Sequence, residues 1–516
     1  MTVKIILIHP PVVKPSEPPA GIASLSACLE AHGVAHEVID ANLEGLRDLL
    51  GRTARSGAAA DRWTARACKN LESNLAALST PSLYDRHDRY SRAVLDINRV
   101  LSEAGRRHGV RLSLSDYADG RRSPVKTDDL IAAALHPEDN PFYPYFAARL
   151  AQVLNESPDY LGFSLNYLSQ ALCTMAMIGF VKKSQPRQKI LLGGSLATSW
   201  AHITGRTDLF SGWVDEVVAG AGEERLLRIL GVKPEHPYGF ADYRRLAANR
   251  YLSPQFVLPY SAARGCWWRK CAFCPETAEA NPYEPRPVYR VAEELPQLAA
   301  LTNAGLIHLL DSSVSPALFT ALAAKPPGVP WYGFARVTPH LADDDFCREL
   351  KAAGCVMLKL GIESGDPQVL EALHKGVDPA MASAVLQSLR RAGIATYCYF
   401  LFGTPPETQA GAEKTLDFVA RHADCIDFLN LAVFNLPAAS PEARSLAVRD
   451  FYAGDLSLYK DFVHPAGWDR SRVRLFLAKT FKKNSAVAPI VARTPEFFTS
   501  NHAPFFVLRK SRKNSP

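Results

Sequence analysis

The sequence predicts an α/β protein in which a doubly wound parallel-sheet domain is followed by a partial (β/α)6 barrel of TIM type. Residues 1–231 alternate short apolar runs with amphipathic helical patterns, and the same alternation occupies residues 256–439. A connector with several Pro and Tyr residues, 232–255, separates the two halves. Strand and helix signals that alternate in this way are typical of parallel sheets covered by helices.

The composition is typical of a globular protein. The chain has 516 residues, of which 47% are hydrophobic and 22% charged. No stretch approaches the roughly 20 uninterrupted apolar residues of a membrane helix, so we expect no membrane span. The N-terminal run MTVKIILIHPP has a short apolar core, which predicts a buried strand and not a signal peptide. We therefore expect a cytoplasmic, reducing location, where clustered thiols stay free or bind metal.

The net charge of +7 is dispersed apart from one basic run, VLRKSRKNSP at residues 507–516. We interpret this run as a solvated terminus, and docking to an acidic partner or to nucleic acid is the alternative. The rest of the chain gives no indication of a nucleic-acid partner.

The first domain is predicted to span residues 1–231 and to contain five strands. They are expected at Val3–Ile8, His36–Asp40, Tyr160–Leu165, Lys189–Leu192 and Glu216–Val218. Amphipathic helices include Gly21–His32, Tyr145–Asn155 and Ser169–Lys183. A polar stretch at about 46–140 interrupts the pattern and carries the helical runs ARACKNLESNLAAL and YSRAVLDINRVLSEAG. An unstructured loop of that length is uncommon in a compact domain, so a helical insertion is expected.

The barrel is predicted from six further strand and helix pairs within residues 256–439. The strands are expected at Phe256–Ala262, Ile307–Asp311, Trp331–Arg336, Val356–Gly361, Ala395–Leu401 and Phe428–Phe434. The helices are expected at Val291–Thr302, Leu341–Ala353, Pro379–Ala392 and Gln409–His422. The chemistry of such a barrel lies at the C-terminal ends of its strands. Residues 440–516 are less periodic and are interpreted as an accessory region.

Three cysteines follow directly after the first strand of the second half, in RGCWWRKCAFCPE at residues 264–276. The cluster contains three cysteines, Cys266, Cys271 and Cys274. Disulfide bonds among them would leave one thiol unpaired, so disulfide pairing does not explain the cluster. Structural zinc normally takes four ligands, and this loop offers no fourth Cys or His. A 4Fe–4S cluster bound by three thiolates leaves one iron open for another ligand. Zinc or a structural thiol cluster is the alternative.

This segment resembles the signature of the radical S-adenosylmethionine (radical SAM) enzymes. In that family an aromatic residue precedes the last cysteine, as Phe273 precedes Cys274, and Arg-Gly precedes the first, as in Arg264 and Gly265. The usual spacing is CX3CX2C, whereas this chain has CX4CX2C. The opening GCWW and the wider first gap resemble a branch of cobalamin-type radical SAM proteins.

The resemblance implies a 4Fe–4S cluster on the three cysteines and a site for S-adenosylmethionine (SAM) beside it. LGIESGDPQVLEALHKG (360–376) and YFLFGTPPET (399–408) are similar to the fourth and fifth barrel strands of the family. The Gly-Gly-Glu run common after the second strand is replaced by HLLDSSVSP. The resemblance places SAM contacts at Phe273, Asp311, Ser312, Arg336, Glu363, Ser364 and Gly403.

Some of these residues have a purely structural alternative. Glu363 would instead pair with Lys359 or Lys375 at the end of its strand. Gly403 would only form a tight turn, and Arg336 would form a structural ion pair.

The first domain resembles the cobalamin-binding fold that precedes the barrel in one large radical SAM group. The matching segments include YLGFSLNY, KILLGGSLA and GAGEERLLRIL. A Rossmann-like sheet offers a crevice at its strand ends for a flat cofactor and its nucleotide tail. The resemblance places cobalamin contacts at Ser164, Gly193 and Gly194, although the glycines would also serve helix–sheet packing alone.

One motif of other cobalamin proteins is missing. The Asp-x-His-x-x-Gly run that supplies a histidine to cobalt in mutases and methionine synthase does not follow the first strand. DANLEG at 40–45 follows the second strand and has Asn42 at the histidine position. We therefore expect cobalt without a protein imidazole, and we interpret His9, which precedes two prolines, as structural.

The resemblance implies that the reduced cluster passes an electron to SAM, whose cleavage gives methionine and a 5′-deoxyadenosyl radical that abstracts hydrogen from an unactivated carbon. In the leading interpretation, cobalamin then delivers a methyl group to the substrate. The alternatives are a radical SAM rearrangement, cyclisation or oxidation without cobalamin turnover, and an iron–sulfur binding or regulatory protein. The implied partners are a small-molecule or peptide substrate and a reducing donor such as flavodoxin or ferredoxin. The other seven cysteines are scattered and are expected to be buried thiols.

Overall fold

The computed structural model describes residues 4–57, 60–235, 241–248, 250–497 and 503–507. Val3, which opens the first predicted strand, and the basic tail from residue 508 onward lie outside these residues. The chain folds into two compact units. The first consists of Met1–Pro254 with Tyr452–Leu458, and the second consists of Gln255–Phe451 with Tyr459–Pro516. The domain boundaries drawn from the sequence stay predictions.

A parallel sheet forms the centre of the first unit. Within the described residues its five strands are β1 (Lys4–Ile8), β2 (Ala35–Ile39), β3 (Tyr160–Ser164), β4 (Lys189–Gly193) and β5 (Glu216–Val218). Their order is β2-β1-β3-β4-β5, and Ile5 of β1 pairs with His36 on one side and Tyr160 on the other. The strand order reverses between β1 and β3. In such sheets the ligand crevice lies outside the C-terminal ends of the strands at this switch point.

The helices of the first unit lie in the connections between its strands, in the insertion after β2 and after β5. They are Ala20–Ala31, Ala41–Arg55, Arg62–Lys69, Leu71–Leu78, His87–Arg106, Thr127–Leu135, Tyr143–Asn155, Leu168–Ser184, Ser195–Thr204, Gly222–Ile229 and Arg244–Ala247, with 3-10 turns at Pro81–Leu83 and Pro137–Asp139. Ile5, Leu7 and Leu191 of the sheet pack with Cys28 and Leu227 of the helices in one buried cluster. The insertion after β2 is helical, as expected, and it also contains a short hairpin of Val110–Leu112 and Tyr117–Asp119.

The second unit is built on another parallel sheet. Its six strands in the described part of the chain are β6 (Val257–Tyr260), β7 (Leu306–Leu309), β8 (Trp331–Ala335), β9 (Cys355–Glu363), β10 (Ala395–Phe402) and β11 (Phe428–Val433). They pair in chain order, and β6 and β11 form the two edges. The predicted fold class, with a partial barrel in the second half of the chain, is therefore confirmed.

The helices of the second unit occupy the connections between these strands and the region after β11. They are Pro275–Ala278, Val288–Thr302, Pro316–Ala324, Asp344–Ala352, Pro367–Ala372, Pro379–Ala392, Gln409–Arg421, Glu442–Ser445, Arg470–Lys479, Ala488–Ala492 and Pro504–Val507, with 3-10 turns at Pro339–Ala342 and Phe481–Lys483. Val257, Leu306, Tyr332 and Phe428 form part of its core.

Two smaller antiparallel sheets complete the second unit. Ala263–Arg264 pairs with Glu284–Pro285, and Tyr459–Phe462 pairs with both Leu436–Pro437 and Val448–Asp450. Within the residues that the structure describes, no helix is both long and apolar enough to cross a membrane. The cytoplasmic location stays a prediction.

Candidate functional site

The three clustered cysteines lie on a closed loop at the C-terminal end of β6. The pairing of Ala263–Arg264 with Glu284–Pro285 closes the base of this loop. Gly265 has φ 68°, and a Cβ on it would lie 2.2 Å from the carbonyl oxygen of Pro282. Only glycine tolerates both this conformation and this approach. The backbone conformation at Gly265 therefore sets the direction in which the loop leaves β6.

The cysteines are free thiols with different degrees of burial. Cys271 is buried, while Cys266 and Cys274 are half-buried. Burial raises the pKa of the Cys274 thiol to about 11. Burial also raises the pKa of Cys271, and the neighbouring Lys375 and Arg336 oppose that rise. Metal and cluster ligation requires thiolates, so positive charges beside Cys271 favour the binding form.

Among the described residues, no three His, Cys, Asp or Glu side chains gather closely enough to hold one metal ion. A structural zinc needs its ligand atoms about 2.0–2.3 Å from a single centre. An iron–sulfur cluster places each thiolate on a different iron, so its sulfurs do not converge on one point. Three free thiols on one closed loop are the donor set that such a cluster requires.

Arg336, which follows β8, lies directly against the buried cysteine. Its Nη1 is 3.6 Å from Cys271 Sγ, and its Nη2 donates to the carbonyl oxygen of Lys375. The guanidinium carbon lies 4.1 Å from the ring centroid of Trp268 and 5.7 Å from that of Trp267. Arg336 is only 6% exposed. The structural ion pair offered as the alternative is not found among the described residues, where Arg336 instead contacts a thiol, a carbonyl and two indoles. Its assignment to SAM stays a prediction.

Both indoles beside the arginine are held in place by hydrogen bonds. Trp267 Nε1 donates to Ser313 Oγ at 3.2 Å, and Trp268 Nε1 donates to the carbonyl oxygen of His374 at 3.1 Å. A Cβ on Gly376 would lie 2.2 Å from Trp268 Cζ2, so the absence of a side chain there makes room for the ring. These aromatic rings cover the arginine beside Cys271.

Glu363 ends β9 close to the same cysteine. It has φ 71°, which is uncommon for a residue other than glycine and turns the chain sharply at the strand end. Its Oε1 lies 2.8 Å from Lys375 Nζ, so the alternative of a salt bridge to Lys375 is present. Lys375 Nζ also lies 5.5 Å from the ring centroid of Phe273. Phe273, Glu363, Lys375 and Arg336 are thus brought together around Cys271.

Asp311 and Ser312 follow β7. Asp311 is 2% exposed, and its Oδ2 accepts a hydrogen bond from the backbone nitrogen of Ala262 at 3.1 Å. Burial raises the pKa of its carboxyl to about 6. Ser312 Oγ donates to Glu276 Oε1 at 2.9 Å. Asp311 therefore fixes the backbone just before the cysteine loop by this hydrogen bond. The SAM contacts predicted for Asp311 and Ser312 stay predictions.

Ser364 points into the packing of a helix. It is fully buried, and its hydroxyl lies 3.2 Å from Thr415 Oγ1 and accepts from the backbone nitrogen of Asp366 at 3.1 Å. These contacts give Ser364 a structural role beside helix Gln409–Arg421. Its predicted contact with SAM stays a prediction.

Gly403 forms a tight turn after β10, as its structural alternative required. It has φ 77°, and its backbone nitrogen donates to Glu407 Oε2 at 2.5 Å. Trp468 Nε1 donates to the same oxygen at 2.9 Å. Glu407 is fully buried, and burial raises its pKa to about 7. Sequence reasoning missed Glu407, although a carboxyl four residues after the turn glycine in GTPPE was a usable signal.

The predicted cobalamin residues lie at the C-terminal ends of β3 and β4. Ser164 Oγ accepts from Asn166 Nδ2 at 3.1 Å. Gly194 has φ 105°, and a Cβ there would lie 2.4 Å from the carbonyl oxygen of Leu165, so close packing already requires this glycine. A Cβ on Gly193 would meet nothing nearer than 3.5 Å. Cobalamin contacts at these three residues stay predictions.

Two buried polar atoms at the end of β1 and in its loop have no hydrogen-bond partner. They are Nδ1 of His9 and Oγ of Ser16, in residues that are 6% and 2% exposed. Asn42, by contrast, is fully used, because its amide accepts from and donates to the backbone of Val13 at 2.8 and 2.9 Å. Orphaned buried polar groups in a native fold call for an explanation such as a ligand or an ion. A cofactor in the adjoining switch-point crevice fits that requirement.

The remaining cysteines are scattered through both units. Six are buried, namely Cys28, Cys173, Cys347, Cys355, Cys398 and Cys425. The seventh, Cys68, is partly exposed, so the expectation of a buried thiol is wrong there, because its short helix Arg62–Lys69 lies at the surface of the insertion.

Part of the chain is similar to a known protein family. Residues 260–419 match the radical SAM superfamily. An uncharacterized methyltransferase of Pyrococcus horikoshii is 27% identical over 166 residues, which cover 31% of this chain and 36% of the relative. An anaerobic magnesium-protoporphyrin IX monomethyl ester cyclase of Cereibacter sphaeroides is 24% identical over 209 residues, which cover 39% of this chain and 33% of the relative. The match thus spans about a third of the length of these relatives.

Two solved structures share the fold over most of the chain. One is TsrM from Kitasatospora setae, a radical SAM methyltransferase with cobalamin and a 4Fe–4S cluster bound. It has a TM-score of 0.53 and 15% identity, with 86% of this chain and 75% of TsrM covered. The other is OxsB, a cobalamin-dependent SAM radical enzyme with aqua-cobalamin bound. It has a TM-score of 0.56 and 12% identity, with 92% of this chain and 66% of OxsB covered. Similarity at this level of identity shows a common fold.

Proposed function

Because residues 260–419 match the radical SAM superfamily, we propose that this chain is a radical SAM enzyme whose 4Fe–4S cluster is held by Cys266, Cys271 and Cys274. The cluster with bound SAM supplies the one-electron cleavage by which such enzymes abstract hydrogen from carbon. The observation that carries the proposal is the set of three free thiols on a closed loop at the C-terminal end of β6. A buried arginine fixed against one of these thiols supports it further.

The residues around this loop are proposed to bind SAM and to exclude water. Phe273 packs against Phe434, Leu436 and Phe462, which shields one side of the loop. The proposed SAM contacts remain those of the family pattern: Asp311 and Ser312 for the amino group, Arg336 for the carboxylate, Glu363 and Ser364 for the ribose or methionine part, and Gly403 for the adenine.

We further propose that the first unit binds cobalamin and that the reaction is methylation of an unactivated carbon. The switch-point crevice between β1 and β3, with the orphaned His9 Nδ1 and Ser16 Oγ beside it, supports a cofactor there. The shared fold with TsrM and OxsB supports cobalamin as that cofactor, and the relative in Pyrococcus horikoshii supports methyl transfer. Ser164, Gly193 and Gly194 are the proposed contacts.

A ring-forming reaction is the second candidate. The cyclase relative in Cereibacter sphaeroides favours it, because its match is as extensive as that of the methyltransferase. Methylated product distinguishes the two, since cyclisation adds no carbon to the substrate. In either case the electron donor is proposed to be a small flavodoxin or ferredoxin, and the substrate a small molecule or peptide.

Removal of one cluster cysteine tests the first part of the proposal. Protein purified without oxygen and reconstituted with iron and sulfide is expected to hold about four irons per chain and to release 5′-deoxyadenosine from SAM and dithionite. Cys271→Ala is expected to lose the absorption of the cluster and the product together. Cys68→Ala removes a thiol from the other unit and serves as the control. A Cys271→Ala protein with a full cluster would contradict the proposal.

Cobalamin binding is tested separately at Gly193. After incubation with hydroxocobalamin and removal of the free cofactor, the wild type is expected to keep about one corrin per chain by absorption spectroscopy. Gly193→Ala fits the available space, whereas the larger side chain of Gly193→Leu is expected to occupy the space proposed for the cofactor at the C-terminal end of β4 and so to lower retention. The iron content of the cluster measures folding of the second unit. Equal retention by all three proteins would place the cofactor elsewhere.

A further inference from the structure

Arg336 has contacts that the binding of SAM does not explain. Its guanidinium donates to the thiol of Cys271 and to the carbonyl oxygen of Lys375, and one face of it lies on the ring of Trp268. A planar guanidinium held on two hydrogen bonds and one aromatic face has little freedom to turn. The arginine is therefore a fixed donor aimed at a sulfur atom.

We propose that Arg336 donates a hydrogen bond to the Cys271 thiolate and thereby raises the reduction potential of the 4Fe–4S cluster, an inference that rests on the proposed function. Hydrogen bonds to the sulfurs and the nearby charge are two of the factors that set the potential of such clusters. Reduction adds one electron from the flavodoxin- or ferredoxin-type donor and breaks no bond. A cation fixed beside a sulfur stabilises the more negative, reduced form.

Lys375 does not supply the same effect, although it also lies near Cys271. Its ammonium is paired with Glu363 at 2.8 Å, so the carboxylate offsets most of its charge. No carboxylate lies within ion-pair distance of Arg336 in the described part of the chain, and its contacts besides Cys271 are a carbonyl oxygen and two indole rings. The field of Arg336 at the sulfur is therefore the less compensated of the two.

The proposed role leaves room for a contact with SAM. A guanidinium carries five N–H groups, and the contacts with Cys271 and Lys375 use two of them. The same arginine can therefore donate to a cluster thiolate and to a carboxylate. A measurement of catalysis alone would not separate the two roles, so the reduction potential of the cluster is measured without SAM.

The test compares Arg336→Gln with the wild type in an electrochemical titration followed by electron paramagnetic resonance of the reduced cluster. Iron and sulfide contents establish that both proteins carry the cluster. Arg336→Gln is expected to lower the ratio of reduced to oxidised cluster about tenfold at a fixed potential, which equals a shift of about 59 mV towards more negative values. Arg290→Gln removes an exposed arginine from helix Val288–Thr302 and is expected to leave the potential unchanged.

A second variant keeps the inference testable if glutamine prevents cluster assembly. Trp268→Leu keeps the arginine but removes the ring on which it rests, and is expected to shift the potential in the same direction by a smaller amount. An unchanged potential in a fully loaded Arg336→Gln protein would overturn the inference. So would two variants that fold but hold no cluster, because Arg336 would then serve assembly. A wild type without any cluster would instead overturn the proposed function.

Discussion

Glu407 shows how one buried carboxyl organises the turn after β10. Its Oε2 accepts from the backbone of Gly403 and from Trp468 Nε1, while its Oε1 is buried without a hydrogen-bond partner. Burial raises its pKa to about 7, and the nearby carboxylate of Asp366 adds to the rise. The neutral carboxyl is therefore the form that the folded protein favours below about pH 7. Ionisation without a partner for Oε1 costs free energy.

This environment predicts a stability that falls as the pH rises. The contribution of Glu407 is fully present below its ordinary pKa of 4.5 and is lost as the pH rises through about 7. A rise from 4.5 to about 7 corresponds to about 3 kcal/mol. Glu407→Gln keeps an oxygen acceptor for Gly403 and Trp468 but does not ionise. Its free energy of unfolding, measured with urea between pH 5 and 8, is expected to lack this decrease.

A second titrating group faces the same turn and must be separated from Glu407. His464 donates from Nε2 to the carbonyl oxygen of Thr404, and burial lowers its pKa, so its contribution falls at acid pH. The difference between wild type and Glu407→Gln at each pH cancels this contribution. Glu413→Gln, an exposed change on helix Gln409–Arg421, is the matched control. A difference that does not vary with pH would contradict the assigned pKa.

At the level of single residues, sequence spacing predicted the chemistry but not its surroundings. Close spacing is enough to suggest that Cys266, Cys271 and Cys274 act together. The contact between Arg336 and Cys271 joins positions 65 residues apart, and only the pairing of the strands brings them within reach. The hydrogen bond between Trp468 and Glu407 also joins distant positions, because Trp468 lies in the region after the barrel.

At the level of elements, long apolar strands were predictable and short polar ones were not. β9 is buried along most of its length, and its apolar run is plain in the sequence. The strand Val448–Asp450 is exposed at every position, so no alternation of apolar and polar residues marks it. The hairpin of Val110–Leu112 and Tyr117–Asp119 has only three residues in each strand, which is too short for an alternating pattern to indicate a strand.

The closed cysteine loop gives a prediction at this scale. Gly265→Ala places a Cβ 2.2 Å from the carbonyl oxygen of Pro282 at a φ of 68°, so the base of the loop must open. The reconstituted variant is expected to bind less than half the iron of the wild type, with an unchanged circular dichroism spectrum. Gly328→Ala has φ 81° but open space around it, and it controls for backbone strain alone. A full complement of iron in Gly265→Ala would show that closure of the loop is not required.

At the level of the whole molecule, the chain returns to the first unit near its end. Tyr452–Leu458 belongs to that unit, although the residues on both sides belong to the second. Asp455 accepts hydrogen bonds from the backbone and the hydroxyl of Thr127, at 2.9 and 2.5 Å. The helix Thr127–Leu135 has no capping hydrogen bond from its own N-cap residue, Lys126. Asp455 therefore caps this helix from 328 residues further along the chain.

This distant cap predicts a local loss of stability in the first unit. Loss of a helix cap costs about 1 kcal/mol, which lowers the Tm of a unit of this size by about 2–4 °C. Asp455→Ala is therefore expected to lower the first unit's thermal transition by that amount. It is also expected to speed hydrogen exchange in Thr127–Leu135 while β9 exchanges as before. Asp450→Ala, which removes an exposed partner of Lys460 in the second unit, should leave that helix unchanged. Unaltered hydrogen exchange in Asp455→Ala would mean that the segment Tyr452–Leu458 does not stabilise the helix Thr127–Leu135 in solution.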